Sequence, residues 1–325
     1  MIIMKKWSVG VDLGGTKIEV ALVAPDGSVH SRMRTPTDSG QGYIAIVDKI
    51  THIIKELQDQ HPDTAPAAIG VGVAGQIDRK TGAVESAPNL NWTHRDLQKE
   101  LESKMDIPVT VCNDVRAATW GEWLYGAGKG CDNLVCIFIG TGIGSGIVSG
   151  GQMLEGYSNT AGEVGHMTID MNGPLCHCGN KGCFEALAGG WAIERDAHDA
   201  VAKDKDAGKR LLSLAGGDIE RITGKEIIKA ALENDVLGKN LTDKLTAALI
   251  AGSTGVVNAL GPQRLIYGGG IIEGMPDLIP AIAKGVKKYA LPKATASLDV
   301  VPAQLHNDSG VVGAAAYALL MLEKK

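Results

Sequence analysis

Val9-Gly10-Val11-Asp12-Leu13-Gly14-Gly15-Thr16-Lys17-Ile18-Glu19-Val20-Ala21-Leu22-Val23 reads as an apolar strand, a turn with two glycines, and a second apolar strand. That order is a β-hairpin. Its turn gathers free backbone N–H groups, the Thr16 hydroxyl and the Lys17 ammonium. Gly14 and Gly15 let the backbone wrap closely around phosphate oxygens, and clustered N–H groups form an anion nest. Asp12, where the first strand ends, is placed to hold Mg²⁺ through water, as a hard cation prefers. An ordinary hairpin turn also fits the segment. The glycines do not follow the Walker A spacing, and no strand-to-helix G-x-G-x-x-G opens the chain, so a dinucleotide fold is not expected.

Further along, the pattern restarts. Asn133 to Ile139 is an apolar strand that enters Gly140-Thr141-Gly142-Ile143-Gly144-Ser145-Gly146, and Ile147-Val148 follows. The echo points to a duplicated α/β unit with two glycine hairpins facing each other across a cleft. Such turns on opposite lobes would grip the β- and γ-phosphates from both sides. A third glycine run, Gly268-Gly269-Gly270, follows the strand Arg264 to Tyr267 and would let backbone lie flat against a nucleoside; a plain strand-to-helix turn is the other reading. Three such turns in this order favour phosphate binding.

Between these turns, helical spacing marks Tyr43 to Leu57, Asp96 to Met105, Val115 to Tyr125, Thr223 to Leu237 and Thr242 to Leu260. The last is stopped by Gly261-Pro262. Ala68 to Ala74 and Val109 to Cys112 are expected strands, and Gly310 to Leu322 an Ala-rich helix. The polar stretch Lys203 to Gly217 reads as a loop or insertion. At 325 residues the chain exceeds what one core usually serves. The expected division is a smaller N-terminal lobe of residues 1–117 plus the C-terminal helix 310–325, and a larger lobe of residues 118–309.

A net charge of −5 gives no general reason to expect binding to nucleic acid or anionic lipid. Met1 to Trp7 lacks the h-region and cleavage site of a signal peptide, and no apolar run nears the ~20 residues that span a bilayer. A cytoplasmic protein is expected. Its six cysteines then argue against a disulfide framework. Cys112, Cys131 and Cys136 sit in or beside apolar runs and read as small core residues. Cys176, Cys178 and Cys183 crowd together downstream of His166, with His177 inside the same loop. Three thiolates and an imidazole suit a closed tetrahedral Zn²⁺ site, a structural knuckle rather than a reactive centre. His166 and His177 compete for the fourth position.

Taken together, Asp12-Leu13-Gly14-Gly15-Thr16-Lys17, Asn113-Asp114, Glu163-Val164-Gly165-His166 and Cys176 to Glu185 resemble the ROK family of repressors, open-reading-frame proteins and sugar kinases, over essentially the whole chain. The resemblance implies an α/β, actin-like (ribonuclease H-like) ATPase fold with two lobes and a central cleft. It implies ATP and Mg²⁺ as cofactors, with Asp12, Gly14, Gly15, Thr16, Lys17, Thr141, Gly142, Gly268, Gly269 and Gly270 on the nucleotide side. It implies a structural Zn²⁺ held by His166, Cys176, Cys178 and Cys183, which leaves the second ring nitrogen of His166 for a sugar. Asp114 becomes the catalytic base, and Gly75, Asn89, Asn113, Asp114, Glu163, His166 and Glu185 the sugar-binding set. Arg116, where Asn or Asp is frequent, and Gly261-Pro262 depart from the family pattern.

Within the family, Pro88-Asn89-Leu90-Asn91-Trp92 is most similar to the bacterial glucokinases. A glucose 6-kinase is therefore expected. Kinases for N-acetylmannosamine, N-acetylglucosamine or fructose, polyphosphate as donor, and a non-catalytic sugar sensor are the alternatives. Only eleven residues precede Asp12, too few for a DNA-binding module, so a repressor is not expected. A homo-oligomer, dimer or tetramer, is expected.

Overall fold

The computed structural model describes residues 6–324. Met1 to Lys5, which include most of the segment read as lacking a leader, and Lys325 lie outside them. The chain divides into two compact units. Among the described residues, one comprises residues 6–131, 154–161 and 303–324; the other comprises residues 132–153 and 162–302.

The first unit is built on a sheet of β1 (Ser8–Leu13), β2 (Lys17–Val23), β3 (Val29–Pro36), β4 (Ile69–Val73) and β8 (Val109–Asn113), in the order β3-β2-β1-β4-β8. β1 pairs antiparallel with β2 and parallel with β4, which pairs parallel with β8. A small second sheet joins β5 (Gln76–Ile77), β6 (Val84–Ala87) and β7 (Trp92–Arg95). α1 (Tyr43–Gln60) turns Ile46, Val47, Ile50, Ile54 and Leu57 onto the core, the one-sided apolar stripe of an amphipathic helix. α2 (Leu97–Met105) does the same with Leu97, Leu101 and Met105.

The C-terminal helix, Ser309–Glu323, is apolar nearly all round because it is covered on both sides, by β1 and β4 and by α3 (Asp114–Leu124). It lies flush on the sheet. A Cβ on Gly10 would overlap the carbonyl of Val311, and one on Gly70 that of Ala314. A buried carboxylate ties the two helices: Glu122 of α3 accepts from the backbone N–H groups of Ala127, Gln304 and Leu305 and from the Ser309 hydroxyl, at 2.7–3.0 Å. Glu122→Ala would strand those buried donors. A loss of about 3–5 kcal/mol in urea unfolding is expected, because removing one partner of a buried charged network leaves the others uncompensated. A change below about 1 kcal/mol would mean the helix is held by packing alone.

The second unit repeats the design. β9 (Leu134–Ile139), β10 (Ile143–Ser149), β11 (Gln152–Met153), β12 (Arg264–Gly268) and β13 (Asp299–Pro302) form a sheet in the order β11-β10-β9-β12-β13, with the same alternation of antiparallel and parallel pairs. Its helices are α4 (Phe184–Ala188), α5 (Gly190–Lys203), α6 (Lys209–Leu214), α7 (Gly224–Leu232), α8 (Val236–Leu260), α9 (Gly270–Gly274), α10 (Leu278–Tyr289) and α11 (Pro292–Thr295). The duplicated unit expected from the glycine turns is present as two sheets of identical strand order. The fold is the α/β actin-like ATPase fold.

The helices differ from the sequence expectation in places, and the one expected from Thr242 to Leu260 already begins at Val236. Helix Thr223 to Leu237 ends earlier, because Asn234 is left-handed (φ 66°) and Asp235 caps the next helix by accepting from Gly238 N at 2.8 Å. Lys203 to Gly217 is not wholly a loop: α6 forms within it and buries Leu211 in the core.

Candidate active site

In the first unit, the carboxyl ends of three parallel strands carry the candidate residues. Leu13, Val73 and Asn113 share one row of the register, so the Asp12–Lys17 turn, Gly75 and Asp114 all leave the same sheet edge. Ligands of open α/β sheets bind at that edge. The narrow β4 helps: a Cβ on Gly72 would lie 3.3 Å from Cα of Asp114 and 3.7 Å from the Val11 carbonyl.

Asn113, rather than Asp114, caps α3. Its Oδ1 accepts from the N–H groups of Val115 and Arg116 at 3.0 and 3.1 Å, while its Nδ2 donates to the Gly75 carbonyl at 3.2 Å. Asp114 is therefore the first helical residue, with its Oδ1 2.9 Å from Val115 N. The cap holds the catalytic candidate at a defined place and fixes Gly75 beside it. Asn89 sits on a 3₁₀ turn, Pro88–Leu90. A Cβ on Gly15 would be 2.8 Å from Cβ of Asn89, so the phosphate turn and this sugar-site candidate abut.

The turn itself closes through Gly14 N to Lys17 O at 3.0 Å, and the Thr37 hydroxyl donates to Gly14 O at 2.7 Å. Thr16 and Lys17 are exposed. Lys17 Nζ lies 3.6 Å from Oε2 of the buried Glu19, which also pairs with Arg32 and Arg34. Burial pushes the Asp12 carboxyl above its ordinary value of 3.8; Lys17 pulls the other way and Glu19 adds to the rise. Asp12 fits a cation, since a divalent ion would offset the cost of keeping this carboxylate charged.

That raised value has a pH signature. Between 3.8 and the folded-state value the folded protein holds more protons than the unfolded chain, so stability falls as pH rises through that window. Asp12→Asn removes the effect. Without Mg²⁺ the variant is expected to match or exceed the wild type in melting temperature above the window, its advantage growing across it, while turnover drops at least tenfold. Parallel melting curves from pH 4 upward check this; a variant less stable at neutral pH refutes the burial argument.

In the second unit, the turn Gly140-Thr141-Gly142 closes through Gly140 N to Gly142 O and is braced by the start of α5, where Gly190 N donates to Gly140 O and Trp191 N to Thr141 O. Beside it opens a cavity of about 460 Å³. Thr141 and Gly270 line it, together with Glu194, Thr223, Lys225, Ile228, Lys229, Leu232 and Ile271. Of the other predicted nucleotide residues here, Gly268 is buried as the last residue of β12, paired with Phe138, and Gly269 makes the left-handed turn (φ 92°) into α9; neither lines the cavity, nor does Gly142. The α7 wall was absent from the sequence reading. Its trace was Thr223-Gly224-Lys225-Glu226, a capping box that the structure confirms with Thr223 N to Glu226 Oε2 at 2.9 Å.

Glu163 and His166 flank the buried Val164-Gly165 pair of a 3₁₀ turn and are both exposed. Glu185, on α4, takes the Ile143 N–H at 2.8 Å and the Trp191 indole N–H at 3.2 Å. A Cβ on Gly142 would overlap that carboxylate, so the glycine makes room for it.

Two residues before Glu185, Cys183 joins His166, Cys176 and Cys178 in one cluster whose ligand atoms all lie within 4.8 Å of one another. Cys178 Sγ to Cys183 Sγ is 3.7 Å, and Cys176 Sγ to His166 Nδ1 is 3.8 Å. A tetrahedron of ~2.3 Å Zn–S bonds has edges of about 3.8 Å, so the donors fit zinc in kind and in spacing. Nδ1 of His166 faces the sulfurs. His177 stands outside the cluster, stacked on Trp191 at 4.1 Å between ring centroids.

Residues 8–320 match the ROK family. The chain belongs to the ROK family. It is 34% identical over 313 residues to a glucokinase of Streptomyces coelicolor, covering 95% of this chain and 96% of the relative. A crystal structure of a ROK family glucokinase from Streptomyces griseus in complex with glucose and AMPPNP superposes with a TM-score of 0.83 at 34% identity, covering 96% of this chain and 99% of that one. A ROK hexokinase structure from Thermus thermophilus gives a TM-score of 0.84 at 27% identity, over 98% of this chain and all of the other. Among the described residues, no helix is long and apolar enough to cross a membrane.

Proposed function

We propose that this ROK protein is an ATP-dependent glucokinase that transfers the γ-phosphoryl group to the 6-hydroxyl of glucose. The observation that carries the reading is the shared strand edge of the first unit, where the phosphate turn abuts Asn89 and the Asn113 cap sets Asp114 beside Gly75. The glucokinase relatives supply the sugar.

Asp114 accepts the proton of the 6-hydroxyl as that oxygen attacks the γ-phosphorus; the bond to the bridging oxygen breaks and ADP leaves. An Asp is a weak base at neutral pH, but phosphoryl transfer depends more on alignment than on proton removal. Asn89, Asn113, Gly75, Glu163, His166 and Glu185 bind the sugar, whose hydroxyls both donate and accept. The turns at Asp12–Lys17 and Gly140–Gly142 bind the phosphates. Asp12 would hold Mg²⁺, which when bound would supply positive charge to offset that of the phosphates.

The second-unit cavity takes the nucleoside, with Ile228, Leu232 and Ile271 as its apolar wall. Polyphosphate needs no apolar compartment, which favours ATP. His166, Cys176, Cys178 and Cys183 would hold a structural zinc; with Nδ1 turned toward Cys176, His166 would keep Nε2 for a sugar hydroxyl. ATP as donor and cysteines left unpaired as thiols support a cytoplasmic protein. Coupled ADP-release assays over glucose, mannose, fructose, N-acetylglucosamine and N-acetylmannosamine, with ATP and polyphosphate in parallel, test the reading. Highest kcat/KM for glucose with ATP is expected. No turnover with any sugar would favour a sugar sensor.

A further inference from the structure

Arg116 is 8% exposed, a charged side chain deep in the first unit, two residues past Asp114. Its guanidinium is spent entirely on one short segment, Leu154 to Ala161. It donates to Oδ1 of Asn159, to the Asn159 carbonyl at 2.7 Å and to the Ala161 carbonyl at 3.1 Å. Asn159 is left-handed (φ 58°), and its Nδ2 donates to the Ile77 carbonyl at 2.7 Å. Ile77 lies on β5, two residues past Gly75. A second tie, Arg79 to Glu155 at 2.7 Å, pins the other end of the segment. Immediately after Ala161 the chain joins the second unit: the Gly162 carbonyl accepts from the Ser145 hydroxyl, and Glu163 comes next.

The Arg116–Asn159 pair thus fastens together two parts of the first unit, the helix that begins with Asp114 and the wall that begins at Gly75. A planar guanidinium with several donors suits this clamp, as a smaller Asn at position 116 would reach neither carbonyl. We propose that Arg116 and Asn159 are positioning residues for sugar binding, which hold the Gly75–Ile77 wall against the helix that begins at Asp114 without touching the substrate. The proposal rests on the kinase reading above.

Arg116→Ala is expected to raise the KM for glucose about tenfold, the usual worth of one well-placed hydrogen bond. The KM for ATP and kcat should stay within about twofold, because a ground-state contact shared with the transition state affects KM alone. Arg116→Lys, which can still reach one carbonyl, should recover part of the loss. Asn159→Gly keeps the left-handed backbone and removes only the side chain, so it decides the matter if Arg116→Ala does not fold. Hydrogen exchange should quicken at residues 154–161 in each variant while α3 stays protected. An unchanged glucose KM in folded Asn159→Gly, or equal rises in the KM for glucose and ATP, overturns the proposal. If the wild type phosphorylates no sugar, the kinase reading itself has failed, and that outcome is distinct from either.

Discussion

Replacing Asp114 by Asn is expected to lower kcat by about 10²–10⁴-fold while glucose still binds with near wild-type affinity. Asn is close to isosteric and keeps the oxygen that accepts from Val115 N at 2.9 Å, so α3 and its Asn113 cap should persist. What disappears is the proton acceptor for the attacking hydroxyl. Stopped-flow ADP release reads the rate, and calorimetric titration with glucose reads the binding. Turnover within fivefold of wild type would remove Asp114 as the base. Loss of glucose affinity in step with kcat would make it a binding residue instead.

The second large effect concerns the cysteine–histidine cluster. Cys178→Ala deletes its only exposed sulfur and leaves three donors. Zinc content by elemental analysis is expected to fall from one per chain to well below half. Metal binding to a structural site is folding free energy, of order 10 kcal/mol, so even partial loss should lower the melting temperature. His166 then loses the partner that orients its ring, and glucose KM should rise with it. Full zinc content in the variant, or no zinc in the wild type grown with the metal, would refute the assignment. Cys112→Ser is a suitable control, since that thiol is buried against Ala117 and Ala314 and is not a member of the cluster.

Residues that act through their backbone turns were legible in the sequence. The two glycine hairpins foretold two sheets of one topology, and the Cys176-to-Cys183 run foretold a cluster, because tight spacing forces those atoms close whatever surrounds them. His166 over His177 needed the family resemblance; in the structure His166 lies among the three cysteines while His177 stacks on Trp191. The α7 wall of the second-unit cavity was not legible. Lys225, Ile228 and Lys229 look like any amphipathic helix, and only the approach of α9 and α5 makes them one side of a cavity. The break at Asn234 was lost for a similar reason, since apolar periodicity runs on through Val236 and Leu237 while a single left-handed residue redirects the chain. Arg116 was visible as a departure but had no meaning until its carbonyl partners, more than forty positions away, were in view.

The flush seating of the Ser309–Glu323 helix on Gly10 and Gly70 sets a timetable for biogenesis. β1 and β4 leave the ribosome long before the surface they are shaped to fit. Residues 132–153 and 162–302 hold their own core and emerge complete before that helix exists. The later-encoded body can therefore mature first, while the earlier one waits with its central strands uncovered. Premature stop codons near residue 300 would leave that waiting state permanent, a natural client for chaperones and proteases.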